Sequence, residues 1–429
     1  MKFRAFGLCA LVSTSVNCST ASPPAQAPAA SLMAAAPVAS ARFRSAGFWD
    51  FDGLAAVRAR AKAGDPSVRP AVDKALRAAD KWLEQGPWSV LDKTKVAVSA
   101  DKRDYMSLAS YWWPNPQTPD GVPYVRKDGL VNPERATNAF DYASMNKMAD
   151  AVSALALAHH LSDDPKYAAH AARILKTWFL DPATGMRPNL LYAQAVPGVA
   201  TGRAEGVLDG VLLARMLDGV ELLSGAPSWS AADEAALRAW FGQLLDWLRS
   251  HENALKEERA RNNHGTWYDV QVVRYALFVD RPDLARSVVE AAKQRRIAAQ
   301  IAPDGSQPEE LERTKTFDYS MYNLRALFDL ATLGRSLGVD LFAYVSPDGR
   351  GIRRAFEYML PYADPAKTWP GKQIAPFKHT DFIAVLRRAA VAYREPAYEA
   401  VLKRHFADEL PKHQVQLVHP EGAEHHAAN

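Results

Sequence analysis

The 429-residue chain has two cysteines, Cys9 and Cys18, and both lie near its N-terminus. From residue 19 onward there is no thiol, which excludes disulfides, zinc–thiolate sites and a cysteine nucleophile there. No stretch is apolar for long enough to span a bilayer, and the run from Phe6 to Val12 is far too short. No cluster of lysine and arginine forms the stripe that a nucleic-acid partner would need. A glycine-rich phosphate loop and a Gly-x-Ser-x-Gly elbow are both missing, so nucleotide hydrolysis and serine-hydrolase chemistry have no motif to rest on. The paired histidines, His159-His160 and His425-His426, are adjacent rather than four apart. They lack metal-ligand spacing on a helix, so no metal site is expected from them. No segment alternates apolar and polar residues as a strand does, and no solenoid repeat recurs.

What remains is an ordinary globular composition, 48% hydrophobic and 23% charged, with a net charge of +4. This mild positive balance suits an acidic substrate. The first residues read as an export signal. Lys2 and Arg4 precede the short apolar core, and Ala25-Gln26-Ala27 fits a cleavage site. Residues 1–27 are therefore expected to be a signal peptide, and 28–44 a disordered leader rich in Ala, Ser and Pro. A periplasmic or secreted monomer follows as the expectation. A lipoprotein anchored through Cys18 is the alternative, against which Asn17 stands as a poor preceding residue.

Residues 45–415 are expected to be one domain, followed by a polar tail over 416–429. Apolar residues recur at three- and four-residue spacing over Leu54–Ala63, Val68–Leu83, Tyr142–Leu161, Pro165–Phe179, Ala204–Leu223 and Ala231–Ser250. The same pattern covers His264–Val279, Arg281–Ile301, Tyr319–Leu337, Gly351–Leu360, Thr380–Tyr393 and Glu395–Phe406. Brief links such as Ser162-Asp163-Asp164 imply antiparallel neighbours. Paired helices without a repeat predict an all-α fold, an (α/α) toroid of about six to seven hairpins forming an incomplete barrel. A curved, non-repeating helical array is the alternative. Three long interruptions, at roughly 85–140, 180–202 and 302–316, are expected to be functional loops lining a cleft.

The densest chemistry is Asn262-Asn263-His264-Gly265-Thr266-Trp267, at the start of a helix. His264, Trp267, Tyr268 and Gln271 share one helical face, which predicts an imidazole and an aromatic wall beside amide donors. An N-capping Asn followed by a core histidine would explain the same residues. The first loop holds Tyr111, Trp112 and Trp113, whose flat rings suit stacking on sugars, or packing on the domain itself. The second holds Asn189, Tyr192 and Gln194, with Arg203 at a helix start where a cation opposes the dipole and is better explained by a carboxylate partner. In the third, Arg313 precedes Tyr319 by six residues. An arginine grips a uronate carboxylate in two-point fashion. A tyrosine beside it is expected to have its pKa lowered and to move a proton, with Tyr322 as the competing tyrosine. Glu309, Glu310 and Glu312 keep open a hydrolase with paired carboxylates.

Tyr111-Trp112-Trp113-Pro114, Asn132-Pro133-Glu134, the run Asn189 to Gln194, Asn263-His264, and Arg313-Thr314-Lys315 leading to Tyr319-Ser320 occur in order over about residues 105–330. Together they resemble the alginate-lyase domain family of polysaccharide lyases. The resemblance implies an (α/α) toroid with an open cleft and β-elimination on β-1,4-linked uronates, usually without a cofactor. Asn263, His264, Arg313 and Tyr319 are then the matching catalytic positions. Tyr111, Trp112, Trp113, Asn189, Tyr192, Gln194, Arg203, Trp267 and Tyr322 are expected to bind an anionic polysaccharide. The classical members read Asn-Asn-His-Ser-Tyr-Trp where this chain has Gly265 and Thr266. They also carry an early lysine that is missing between Ser110 and Tyr111, for which Lys127 or Lys147 could substitute. Alginate is the expected polymer, with glucuronan next. A glycoside hydrolase and a non-catalytic glycan-binding protein are the competing functions.

Overall fold

Two helices, α3 (Tyr142–Ser162) and α5 (Val211–Leu222), lie side by side at the centre of the packing. In this computed structural model the described residues run from 47 to 422. The expected signal peptide and leader, both cysteines and the His425-His426 pair lie outside them. The described elements all belong to one compact unit, Ala39–Asn429.

The predicted helices are present. The chain opens with α1 (Phe51–Lys62) and α2 (Arg69–Leu83), then α3, which ends where Asp163 turns left-handed at φ 60°. Asp164 caps α4 (Pro165–Leu175) by accepting from Lys166 N, with Pro165 supplying the fixed φ of the first turn. After α5, a Ser230–Asp233 capping box starts α6 (Ala231–Ser250). A short polar helix follows, α7 (Glu252–Glu258), and then α8 (Asn263–Phe278) and α9 (Pro282–Ala292). The remainder is α10 (Pro308–Leu311), α11 (Thr316–Ser336), α12 (Ile352–Met359), α13 (Phe382–Tyr393), α14 (Pro396–His405) and α15 (Val415–Val418).

Packing orders these elements. α3, α5, α8, α11 and α13 form an inner row of successive neighbours. α2 and α4 back α3, α6 and α9 back α8, α12 backs α11, and α14 backs α13. An inner row with outer partners behind all of its members but α5 is the arrangement of an (α/α) toroid. α8 is its keel: every residue from Asn263 to Phe278 except His264 is buried. A helix buried on all sides needs apolar residues all round, and Val270, Val272, Val273, Ala276 and Leu277 supply them.

Several expectations change. Four short strands appear within the long loops. β1 (Met106–Leu108) pairs in parallel with β4 (Tyr192–Ala195), and β2 (Trp112–Trp113) pairs antiparallel with β3 (Val125–Arg126). Strands of two to four residues are too short to show alternation. The helix expected over Arg281–Ile301 ends at Ala292 and continues as a widened turn, Lys293–Ala298. α7 was not expected, because its sequence ENALKEE has no apolar stripe. The expected tail also begins too early, since Leu417 and Val418 pack on Leu54 and Val57 of α1, and Val418 O accepts from Asp50 N at 2.9 Å.

The first loop is anchored from beneath. Lys93 and Asp141 form a buried ion pair at 3.0 Å, and Asp141 also accepts from Met106 N at 2.7 Å, which fixes β1. Deep burial, opposed by the nearby Lys93 charge, pushes the Asp141 carboxyl up to about 7. Leu108, Ala109, Tyr124, Phe140 and Val196 form a separate small core under the loop's outer part.

Candidate active site

The break between α7 and α8 is held by a buried arginine. Arg296 donates to Glu258 O at 2.7 Å and Ala260 O at 2.9 Å, and pairs with Asp269 at 2.8 Å. Its path explains Gly265. A Cβ there would stand 2.2 Å from Ala260 O and 2.3 Å from Arg296 Nη1. Asn262 then caps α8, its side chain accepting from His264 N at 3.3 Å. The capping role expected of an asparagine here therefore belongs to Asn262, leaving Asn263 and His264 to face other partners.

Asn263 is buried and gives two hydrogens to one carboxylate. Its backbone N donates to Glu310 Oε1 at 2.6 Å and its Nδ2 to Glu310 Oε2 at 2.7 Å. Burial pushes the Glu310 carboxyl up, against the lowering effect of these two bonds. His264 Nδ1 lies 2.5 Å from Oε1 of the buried Glu257. Burial alone would lower the His264 pKa, but the charge and hydrogen bond of Glu257 outweigh it and raise the value. With Nδ1 so engaged, Nε2 makes no hydrogen bond among the described residues, and the His264 side chain keeps 18% of its surface exposed.

The third loop places Arg313 and Tyr319. Arg313 Nη2 donates to Tyr319 Oη at 2.8 Å and to Asp128 Oδ1 at 3.1 Å. Its guanidinium lies 3.9 Å from the Tyr319 ring centre. Tyr319 Oη is also 2.6 Å from Tyr111 Oη, so two phenols and an arginine share one hydrogen-bond chain. Thr314 Oγ1 completes the clamp on Asp128 at 2.9 Å. The expected lowering of the Tyr319 pKa is not what this geometry gives. Burial and the adjoining Tyr111 push it well up, and the Arg313 charge offsets only part of that. The resting hydroxyl is therefore protonated. The halves of the site meet electrostatically at Glu310, which lies within reach of both His264 and Arg313.

The other expected residues divide. Trp112 sits under Arg203, whose guanidinium is 5.8 Å from a ring centre. Trp113 donates through Nε1 to Leu130 O at 2.9 Å and carries Lys127 Nζ over its face at 5.1 Å. Lys127 N also donates to Tyr111 O at 2.7 Å, which ties its backbone to that of Tyr111, whereas Lys147 is an exposed residue of α3. Tyr192 and Asn189 are half-buried, and the Asn189 Oδ1 accepts from Leu191 N at 3.1 Å.

Arg203 does meet a carboxylate, but it is the protein's own. Its Nη1 is 3.5 Å from Glu205 Oε1, and its Nε and Nη2 donate to Gln194 O and Oε1. Gln194 is buried, has φ 51°, and spends its amide on Arg203 and Glu205 O. It positions Arg203 rather than reaching a ligand directly. Trp267 is fully buried, as are Tyr268 and Gln271, so the expected aromatic wall of α8 is core. One helix face there packs on α11, with Trp267 and Tyr322 ring centres 4.9 Å apart. Tyr322 is half-buried one turn below Tyr319.

Glu257, Glu310 and Asp128 join the site; of these the sequence pointed only to Glu310, and as a hydrolase carboxylate rather than as the partner of Asn263. Glu257 precedes His264 by seven residues, but the broken helix between them hides the relation. Asp128 is separated from Arg313 by 185 residues and carries no local signal. Among the described residues, no three of His, Cys, Asp and Glu gather as a metal site would require. No helix among them is long and apolar enough to cross a membrane.

A family model described as alginate lyase matches residues 89–369. Among solved structures, an alginate lyase from Bacteroides ovatus is 38% identical, with a TM-score of 0.83, over 87% of this chain and 98% of that one. Alginate lyase A1-III from Sphingomonas species A1 is 17% identical over 80% of this chain and 94% of that one, with a TM-score of 0.49. A tyrosine-to-phenylalanine variant of A1-III, complexed with a tetrasaccharide, is 16% identical over 88% of this chain and 96% of that one. Its TM-score is 0.52, a likeness of fold. No curated protein matches the chain.

Proposed function

The chain belongs to the alginate lyase family, and we propose that it cleaves alginate by β-elimination at the cluster of Arg313, Tyr319, Tyr111, Asn263 and His264. One observation carries this reading. The Tyr319 hydroxyl sits between Arg313 Nη2 at 2.8 Å and Tyr111 Oη at 2.6 Å, a protonated phenol held by a cation.

In a uronate the C5 proton is acidic only if the carboxylate charge is offset. Arg313 keeps Nε and Nη1 free of hydrogen bonds among the described residues, and Asn263 keeps one Nδ2 hydrogen beyond that given to Glu310. Both suit the carboxylate and the enolate charge that grows on it, the preorganised stabilisation that dominates such reactions. His264, with Nδ1 fixed by Glu257, presents Nε2 as the base for the C5 proton. The electron pair left at C5 forms the C4–C5 double bond. The C4–O4 bond breaks toward oxygen, and Tyr319 gives its proton to O4, with Tyr111 and Arg313 stabilising the phenolate.

The hydrolase alternative has little support. Glu309 and Glu312 are exposed, and Glu310 is buried and committed to Asn263. The test is a screen of polymannuronate, polyguluronate, mixed alginate, glucuronan and neutral glucans, followed by ultraviolet absorbance of the unsaturated uronate. Alginate should give a rising signal and neutral glucans none. New reducing ends without that absorbance would overturn the reading. Export to the periplasm or medium is part of the proposal, and the mass of the protein recovered outside the cytoplasm should match cleavage after Ala27.

A further inference from the structure

Below the phenol pair, the inner face of α11 continues through Tyr322 to Arg325, about 9 Å along the helix axis from Tyr319. Arg325 is half-buried, and it makes no ion pair and no hydrogen bond among the described residues. The carboxylate one turn on, Asp329, is already taken. Arg388 holds it at 2.6 Å, and Arg215 of α5 lies 3.8 Å away. Arg215 spreads over the face of Trp267 at 4.8 Å from a ring centre, and Trp267 in turn packs on Tyr322. Asp150 and Asp381 are within electrostatic reach but pair with neither arginine among the described residues.

A half-buried arginine without a partner, next to a second arginine, is an unfavourable arrangement by itself. Burial, aided by the Arg215 charge, pulls the Arg325 pKa down against the attraction of Asp329 and Asp381. A fold gains nothing by keeping such a residue unless something anionic meets it. The guanidinium fork matches a carboxylate in two-point geometry. The half-buried Tyr322, backed by the core residue Trp267, adds an aromatic ring beside it, the kind of surface on which a sugar ring rests.

We propose that Arg325 and Arg215 form a second carboxylate subsite, which holds a uronate neighbouring the one that is cleaved. The proposal rests on the lyase reading above. It assigns the inner row of helices below Tyr319 to the bound chain, and it gives the arginines a task distinct from charge neutralisation at C5. The subsite selects polymers with an acid group on successive sugars.

The test is Arg325→Gln in the full chain, assayed on alginate and on a mannuronate tetrasaccharide, with thermal melting in parallel. KM should rise about tenfold or more, with a smaller fall in kcat, because a charge-assisted pair is lost in binding. The melting temperature should stay level or rise, since an unpaired cation leaves the protein interior. Arg325→Lys should recover part of the affinity. An active wild type whose KM does not change on Arg325→Gln overturns the subsite alone, as does a KM change accompanied by a lowered melting temperature. A wild type that yields no unsaturated product from any uronate polymer overturns the lyase reading and the subsite together.

Discussion

Replacing Glu310 by Gln isolates the pair of hydrogen bonds that holds Asn263. Both Glu310 oxygens accept, from Asn263 N at 2.6 Å and Nδ2 at 2.7 Å, and both residues are buried. A glutamine keeps one acceptor and turns an NH2 toward a donor. One buried hydrogen is then unpaired, which costs about 1–3 kcal/mol. The described residues, 47 to 422, carry an unfolding entropy of about 0.8 kcal/mol/K at roughly 2.1 cal/mol/K per residue. The melting temperature should therefore fall by only about 1–4 °C. Activity should fall far more, because the Asn263 amide loses the bond that aims it, and misplacement of about 1 Å at a reacting centre costs on the order of 10²-fold. The assay is the initial rate of absorbance on alginate beside a calorimetric melt. A rate within twofold of wild type would refute the reasoning, since Asn263 would then need no orienting partner. A melt lowered by tens of degrees with a matching loss of rate would refute it differently, by making Glu310 a general support of the fold.

Tyr319→Phe should reduce kcat on the order of 10²–10⁴-fold with the fold intact, whereas Tyr322→Phe should cost much less; an inactive Tyr322→Phe beside an active Tyr319→Phe would reverse the assignment. Arg313→Lys should stay strongly impaired, because an ammonium cannot hold a carboxylate, Asp128 and the Tyr319 hydroxyl at once, and near-normal kcat/KM would make Arg313 structural. Glu257→Gln removes the charge that raises the His264 pKa, so the imidazole becomes neutral, and able to act as a base, at lower pH. The acidic limb of the pH–rate profile should move to lower pH while the plateau falls, and an unmoved limb would exclude His264 as the base. Gly265→Ala should destabilise by about 1–3 kcal/mol or more through its clash with Ala260 O and Arg296, and should lower activity with it; an unchanged melt would show that the junction yields easily.

The helices were readable because burial imposes a period of 3.6, and α3, α6, α8 and α11 fall close to where that period placed them, whereas the helix expected from Ala204 begins as a 3-10 turn, Ala204–Gly210, before α5. α7 was hidden by its charge, and the β1–β4 pair by its length. Periodicity also misled at α8. It put Trp267, Tyr268 and Gln271 on one face, and that much holds, but it cannot say whether a face meets a cleft or a neighbouring helix. In a helix buried all round, these side chains meet different neighbours: Trp267 packs on Tyr322 of α11, Tyr268 donates to Leu248 O of α6, and Gln271 lies against Gly210.

The ordered motifs located the chemistry, since Asn263, His264, Arg313 and Tyr319 are residue types that bind an acid group and move a proton. Their partners were invisible. Tyr111 meets Tyr319 across 208 residues, Arg313 meets Asp128 across 185, and Asn263 meets Glu310 across 47. Linear spacing carries no trace of such pairs, because loops from different hairpins converge only once the inner row has packed. The pKa of Tyr319 shows the consequence. The sequence supplies a neighbouring arginine and suggests a lowered value; the fold supplies burial and a second phenol, and these win. Sequence by itself determined which residues could do the chemistry and which segments would be helical, since both are local properties. Tertiary structure decided which hydroxyl, imidazole and amide are held, by what, and in which protonation state, because hydrogen bonds and desolvation depend on distance in space.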